Sequence, residues 1–167
     1  MRYPLWMKKL NAALGILAGA LFMAIAFLSV MEGLLRGIFS SPTMWSVDVS
    51  QYLLIIAAFF GSPYSYQELG HVAVDFVKNI VEARWGKAPR RIMSILGSLM
   101  SLVVVGVFLW TAYALGKRAV LFNSLTTNNI QIPVAVLYGV MAVGSVIMIL
   151  TLLFTILDLF TDSEKYL

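Results

Sequence analysis

The most informative pattern in this chain is the alternation of long apolar runs with short polar segments. A helix rises 1.5 Å per residue, so about 20 apolar residues cross a hydrocarbon core about 30 Å thick. The pattern therefore predicts an all-α membrane protein that forms a single membrane domain over residues 1–167. Its four transmembrane helices are predicted at about residues 10–36, 46–67, 92–116 and 132–157.

One further helix is predicted between the second and third spans, at about residues 71–85, and its pattern differs. On a helical wheel His71, Asp75 and Lys78 share a stripe with other polar residues, while apolar residues cover the rest. Such an amphipathic helix is too polar on one face to span the bilayer, and it lies at the interface. His71 and Asp75 are then either part of a polar face in water or a docking contact for another protein.

The basic residues predict how the four spans are oriented. The sequence has 12 Lys and Arg; with both termini in the cytoplasm, Arg36, Lys117 and Arg118 lie outside, which leaves nine inside. This excess on the cytoplasmic side follows the positive-inside rule. The interfacial helix is then cytoplasmic, and two short loops, residues 38–44 and 122–131, face the outside.

Composition narrows the class of function. Only 12% of the residues are charged and 60% are hydrophobic, whereas a soluble domain has about 25% charged residues. The absence of cysteine excludes disulfides and thiolate metal sites, and one histidine cannot supply the paired axial ligands of a membrane haem. The sequence has no phosphate-binding loop and no nucleophile–base constellation. We therefore expect no enzyme activity, no cofactor and no metal site. We also expect no nucleic-acid partner, because the basic residues behind the net charge of +4 suit contact with membrane lipid.

Charged residues near the ends of the first two spans are candidates for contacts. Glu32 and Arg36 are four residues apart, so they lie on one face of a helix and can pair. Ser46 or Asp48 is expected to cap the start of the second helix. We expect Glu32, Arg36 and Asp48 to cluster where the first two helices meet, either as a structural ion pair or as a contact with a partner subunit.

Small residues at helical spacing indicate where other helices approach. Gly15 and Gly19 form a G-x-x-x-G pattern in the first span, and Gly97 and Ser101 belong to a similar seam in the third. These four residues are the helix-packing candidates. Glycine is also common in transmembrane helices that lack such a seam, so composition alone is the other interpretation.

The second span and the segment after it carry the most specific signal. Trp45 and Asp48 open the helix, Phe-Gly follows at residues 60–61, and residues 70–75 read Gly-His-Val-Ala-Val-Asp. Together with Arg36, the four spans and the basic N-terminus, this order resembles the small membrane subunit, of the DctQ type, of tripartite ATP-independent periplasmic (TRAP) transporters.

The resemblance implies a non-catalytic subunit that scaffolds a large multi-spanning membrane subunit and helps to dock a periplasmic substrate-binding protein. It also implies sodium-driven uptake of organic acids across the inner membrane of a bacterial or archaeal cell. The family pattern often has two acids where this chain has Val47 and Asp48, so no role that needs paired carboxylates is expected. The partner-interface candidates are Glu32, Arg36, Trp45, Asp48, His71 and Asp75.

Two other functions fit parts of the sequence. A small dimeric proton-coupled multidrug exporter also has four helices, and Glu32 would be its membrane carboxylate. The position of Glu32 at a helix end and the additional amphipathic helix oppose this interpretation. A membrane anchor subunit of another complex would share the hydrophobic spans, and only the second span and the segment after it distinguish it from the TRAP subunit.

Overall fold

The computed structural model describes residues 4–39, 43–69 and 87–161 of the chain, and their regular structure is helical apart from one isolated β-bridge. All four helices in these ranges are long and apolar enough to cross a membrane. This confirms the predicted all-α class with four candidate spans. The helices are α1 (Leu5–Phe39), α2 (Met44–Leu69), α3 (Lys87–Leu121) and α4 (Val134–Thr161).

The helices extend beyond the apolar runs at most of their ends. Hydrophobicity marks the part of a helix that suits the bilayer, whereas backbone hydrogen bonding sets where the helix itself begins and ends. The exception is the start of α4, which begins at Val134, two residues after the predicted start of that span. The predicted interfacial helix at 71–85 lies outside the described residues, and the orientation of the termini stays a prediction.

The helices pack in the order α1, α2, α4, α3, so α2 and α4 occupy the middle. The short connection between α1 and α2 lies at the same end as the loop between α3 and α4, since side chains in the first turns of α2 bond that loop. We call this the loop end and define it as residues 32–39, 43–52 and 122–133. The opposite end, where Asn11, Gln67 and Thr151 meet, is the Asn11 end.

Small residues allow the central helices to approach closely. A methyl group at Gly61 would lie 2.9 Å from the Cβ of Ala18, and one at Gly144 would lie 2.7 Å from the Cβ of Phe59. Helices in a bilayer associate through such close van der Waals packing, because surrounding lipid is as apolar as their side chains. The α1–α2 and α2–α4 contacts therefore depend on glycine.

Of the four helix-packing candidates, Gly15 contacts another helix of the chain, since a methyl group there would overlap the ring of Tyr64. Gly19 and Gly97 have no atom of the described chain within 4 Å of a Cβ position. Ser101 is half-buried on α3. Packing of Gly19 and Gly97 against a helix of another chain stays a prediction.

The described helices bury polar groups and expose apolar ones. Large apolar side chains such as Met23, Met100 and Trp110 face outward, while Asn11 and Thr151 are fully buried. In a soluble domain this distribution would be unfavourable, but a bilayer solvates outward apolar side chains and leaves polar groups to find partners inside. The distribution agrees with four helices in a membrane.

Candidate functional site at the loop end

Glu32 joins the end of α1 to the start of α2. The side chain of Glu32 is 11% exposed. Its carboxylate accepts hydrogen bonds from the guanidinium of Arg36 at 3.0 Å, the backbone N–H of Thr43 at 3.1 Å and the hydroxyl of Ser46 at 2.8 Å. The hydroxyl of Thr43 donates to the same carboxylate. The ion pair between Glu32 and Arg36, which their spacing predicts, is therefore present, and it is one part of a larger cluster.

This cluster stabilises the start of α2. The N-terminal turn of a helix has backbone N–H groups without helical partners and a partial positive charge, so a carboxylate there is favourable. Thr43 immediately precedes α2, and Ser46 lies in the first turn. The expectation that Ser46 or Asp48 caps the helix is therefore wrong, because both lie inside α2 and Thr43 is the residue before it. The acid at this helix start is Glu32 of α1.

Asp48 has a different partner from the one expected. Its Oδ2 accepts the backbone N–H of Ile130 at 3.1 Å, in the loop between α3 and α4. Tyr52, one turn later on the same face of α2, donates its hydroxyl to the carbonyl of Ile130 at 2.7 Å. The expected cluster of Glu32, Arg36 and Asp48 therefore consists of the first two, and Asp48 anchors the loop.

The loop between α3 and α4 is also bonded internally. The N–H of Thr126 donates to the carbonyl of Ile132, and the N–H of Ile132 donates to the hydroxyl of Thr126, each at 3.0 Å. The N–H of Val134 donates to the carbonyl of Ser124 at 3.0 Å. These bonds satisfy backbone groups that water would otherwise solvate, so the loop has a defined shape.

The end of α3 starts this loop with a Schellman motif. Asn123 has a φ of 46°, the left-handed region that asparagine tolerates. The N–H of Asn123 bonds the carbonyl of Val120 at 3.3 Å, and that of Ser124 bonds the carbonyl of Ala119 at 3.0 Å, as the motif requires. The chain reversal after α3 is thereby fixed before the loop reaches α2.

The loop end exposes apolar and uncharged polar groups together. Phe122 is 78% exposed and Leu125 is 52% exposed. Trp45, a partner-interface candidate in the first turn of α2, is 42% exposed. Two further partner-interface candidates, His71 and Asp75, lie outside the described residues.

The sequence prediction missed a second polar cluster, at the Asn11 end. The side-chain amide of Asn11 donates to Oε1 of Gln67 at 2.9 Å and to the hydroxyl of Thr151 at 3.2 Å, which joins α1 to α2 and α4. The hydroxyls of Tyr66 and Ser98 lie 2.9 Å apart and join α2 to α3. A lone amide at the start of an apolar run was the available signal for this cluster.

None of these groups forms a metal site in the part of the chain that the structure describes. No three His, Cys, Asp or Glu side chains lie close enough together there to hold an ion. The two buried acids of the described residues, Glu32 and Asp48, both accept hydrogen bonds from the chain itself. Their chemistry is that of structural acceptors.

Comparison with known proteins decides the family. A family model of the DctQ component of tripartite ATP-independent periplasmic transporters matches residues 22–162, which is most of the chain. The chain belongs to the DctQ family. This confirms the resemblance that the second span and its flanking residues indicated.

A curated relative agrees with the family. The chain is 27% identical over 135 residues to the sialic acid TRAP transporter permease protein SiaT of Haemophilus influenzae (strain 86-028NP). The match covers 80% of this chain and 19% of the relative, so the chain spans about a fifth of that protein's length. DctQ membership together with four candidate spans makes this chain a multi-pass membrane component of a transporter.

Proposed function

We propose that this DctQ chain is the non-catalytic small membrane subunit of a sodium-driven, binding-protein-dependent TRAP transporter for organic acids. In this function it scaffolds a large multi-spanning subunit, which carries the substrate, and helps to dock a periplasmic binding protein. The proposed location is the inner membrane of a bacterial or archaeal cell. The termini and the segment at 71–85 would face the cytoplasm, and the loop end would face the periplasm.

The observation that carries this proposal is that the two buried acids among the described residues, Glu32 and Asp48, hold parts of the chain together. A membrane carboxylate that takes up and releases an ion or a proton needs a carboxylate oxygen that the ion or proton can reach. Glu32 instead joins α1 to α2, and Asp48 joins α2 to the loop after α3. Such an arrangement suits a rigid support beside a moving transport subunit.

The relative's length supports a large partner. This chain matches about a fifth of SiaT, which is the permease protein of a sialic acid TRAP transporter. In a transporter whose subunits are separate chains, the remaining length would be supplied by a second membrane protein. Sialic acid is an organic acid, which supports the proposed substrate class without assigning the substrate.

The loop end supports the docking part of the proposal. The loop is bonded to α2 through the backbone N–H and the carbonyl of Ile130. Phe122 and Leu125 remain exposed in the same loop. A preformed surface loses little conformational entropy on binding a soluble partner. The distribution of basic residues predicts that this end faces the periplasm, where a binding protein would approach.

The multidrug exporter is less well supported. Its coupling residue would be Glu32, but that carboxylate accepts four hydrogen bonds from Arg36, Thr43 and Ser46 and lies in the second-last turn of α1. An anchor subunit for an unrelated complex would keep the same fold, and the DctQ match favours the TRAP assembly over it.

Co-purification tests the subunit role. The tagged chain would be expressed with a large TRAP membrane subunit from the same organism and, as a control, with an unrelated membrane protein. We expect a stable complex with the large subunit after extraction in mild detergent, and none with the control. Recovery of the chain as a homodimer that exports cations by itself would contradict the proposal.

A further inference from the structure

A groove follows the outer side of α1 and α2 from the loop end towards the middle of both helices. Its volume is about 450 Å³. It is polar at the loop end and apolar further along. Glu32, Arg36 and Ser46 line the polar end. Ile25, Leu28 and Leu54 line the apolar end.

The length of the groove corresponds to one leaflet of a bilayer. From Ile25 to Arg36 the helix rises about 16 Å, at 1.5 Å per residue. Half of a hydrocarbon core about 30 Å thick is about 15 Å. Because Arg36 lies one turn before the end of α1, the polar end of the groove falls at headgroup level and its apolar end falls near the bilayer centre.

The width of the groove suits an extended chain rather than a helix. The volume of about 450 Å³ is the space open to the centres of water molecules, and over about 16 Å it is about 6 Å across. Adding the diameter of a water molecule, about 2.8 Å, gives a groove about 9 Å wide, whereas a helix with its side chains is about 10–12 Å wide. A transmembrane helix of a partner would therefore lie across the opening without filling the groove. A lipid acyl chain is narrow enough to enter it.

Arg36 provides a phosphate-binding group at the polar end. A guanidinium has five N–H donors, and its hydrogen bond to Glu32 uses one of them. The side chain is 63% exposed, so its outer edge faces the headgroup region. Guanidinium geometry favours two parallel hydrogen bonds to phosphate oxygens, and Glu32 holds the side chain beside the groove.

We propose that this groove is a binding site for one glycerophospholipid, with its phosphate on Arg36 and one acyl chain along Ile25, Leu28 and Leu54. The bound lipid fills the space between α1 and α2 that the protein leaves open on its outer side. This site does not depend on the TRAP assignment, because it rests on the groove within this chain alone.

Gly33 allows the groove to be blocked without disturbing the helix packing. Gly33 lines the groove, and a Cβ there meets no atom within 4 Å, so Gly33→Phe places a ring in the groove. Gly19 is equally open on the same helix but lies outside the groove, which makes Gly19→Phe the matched control. Arg36→Gln removes the charge at the polar end and keeps an amide that can donate to Glu32.

The test is native mass spectrometry of the full-length chain released from detergent micelles. The probes are palmitoyl-oleoyl-phosphatidylglycerol, diacylglycerol with the same chains, and inorganic phosphate. We expect one phosphatidylglycerol per chain in the unsubstituted protein and in Gly19→Phe, and at least tenfold weaker retention in Gly33→Phe. Arg36→Gln should bind the phospholipid no better than diacylglycerol, and inorganic phosphate alone should not be retained.

Equal retention of lipid by Gly33→Phe and Gly19→Phe would overturn the proposal, because the lipid would then be annular. Retention of inorganic phosphate alone would overturn the acyl-chain part of the site. If no lipid is retained and Gly33→Phe instead prevents association with the large subunit, the groove is a protein contact and the lipid proposal is wrong.

Discussion

The carboxylate of Asp48 accepts the backbone N–H of Ile130 at 3.1 Å, across 82 residues of sequence. This bond joins the first turns of α2 to the middle of the loop between α3 and α4. Tyr52 completes the attachment by donating to the carbonyl of the same residue at 2.7 Å. The helix pairs α1–α2 and α3–α4 are therefore connected at the loop end by polar bonds, in addition to the packing of α2 on α4.

Removal of the Asp48 carboxylate should loosen this loop. Asp48→Ala leaves the N–H of Ile130 without its acceptor. A fully buried unsatisfied donor costs about 1–3 kcal/mol, and because Ile130 is half-buried we expect a cost of about 1 kcal/mol. We expect faster hydrogen exchange at residues 124–132 and a lower free energy of unfolding. The control is Gln51→Ala, because Gln51 bonds the same loop only through an exposed contact with Asn128. Equal exchange in the two variants would show that Asp48 does not hold the loop.

Glu32 and Arg36 should contribute unequally to stability although they form one ion pair. Glu32→Gln weakens four hydrogen bonds to the carboxylate and is expected to lower the free energy of unfolding more than Arg36→Gln does. Arg36→Gln removes the charge of a partner whose side chain is largely exposed, and exposed ion pairs contribute less than about 1 kcal/mol. Chemical denaturation in detergent measures both, with Glu68→Gln at an exposed position of α2 as control. A larger effect of Arg36→Gln would contradict the structural role of the cluster.

The buried amide of Asn11 should stabilise the contact of three helices. Asn11→Ala removes the donor to Oε1 of Gln67 and to the hydroxyl of Thr151, and interhelical hydrogen bonds in membranes contribute about 1–2 kcal/mol. We expect a loss of that size in the free energy of unfolding, measured with Leu10→Ala as the neighbouring, more exposed control. An unchanged stability would mean that the amide bonds equally well in the unfolded state within the membrane.

Close packing of α2 on α4 should depend on Gly144. A Cβ there would lie 2.7 Å from both the Cβ and the carbonyl oxygen of Phe59, so Gly144→Val must separate the helices. Such overpacking costs about 1–3 kcal/mol. Gly139→Val on the same helix meets no atom within 4 Å and should be tolerated. Thermal unfolding of the two variants distinguishes them, and matching melting temperatures would refute the predicted contact.

The parts of this fold that the sequence predicts are those that depend on local spacing. Four apolar runs predict four helices, and a separation of four residues predicts the pair of Glu32 and Arg36. The G-x-x-x-G pattern marks Gly15 as a position of close helix contact, although the pattern does not show that Tyr64 is the residue it contacts. These features follow from the periodicity of a single helix.

The partners of Asp48 and Asn11 could not be predicted in the same way. Asp48 bonds a backbone N–H, which almost any residue at position 130 would supply, so the loop sequence carries no signal for it. Asn11 bonds Thr151, 140 residues away, and many hydroxyl residues in α4 were equivalent candidates. The start of α2 could have been predicted, because threonine is a favoured residue immediately before a helix and Thr43 precedes the apolar run of α2.

The most direct test of the central claim is transport by purified components in liposomes. The chain would be reconstituted alone, then with a large TRAP membrane subunit from the same organism, and then with a periplasmic binding protein as well, each with and without an inward sodium gradient. We expect uptake of an organic acid only when all three proteins and the gradient are present. Uptake or cation export by this chain alone would contradict it and would make Glu32 the residue to study.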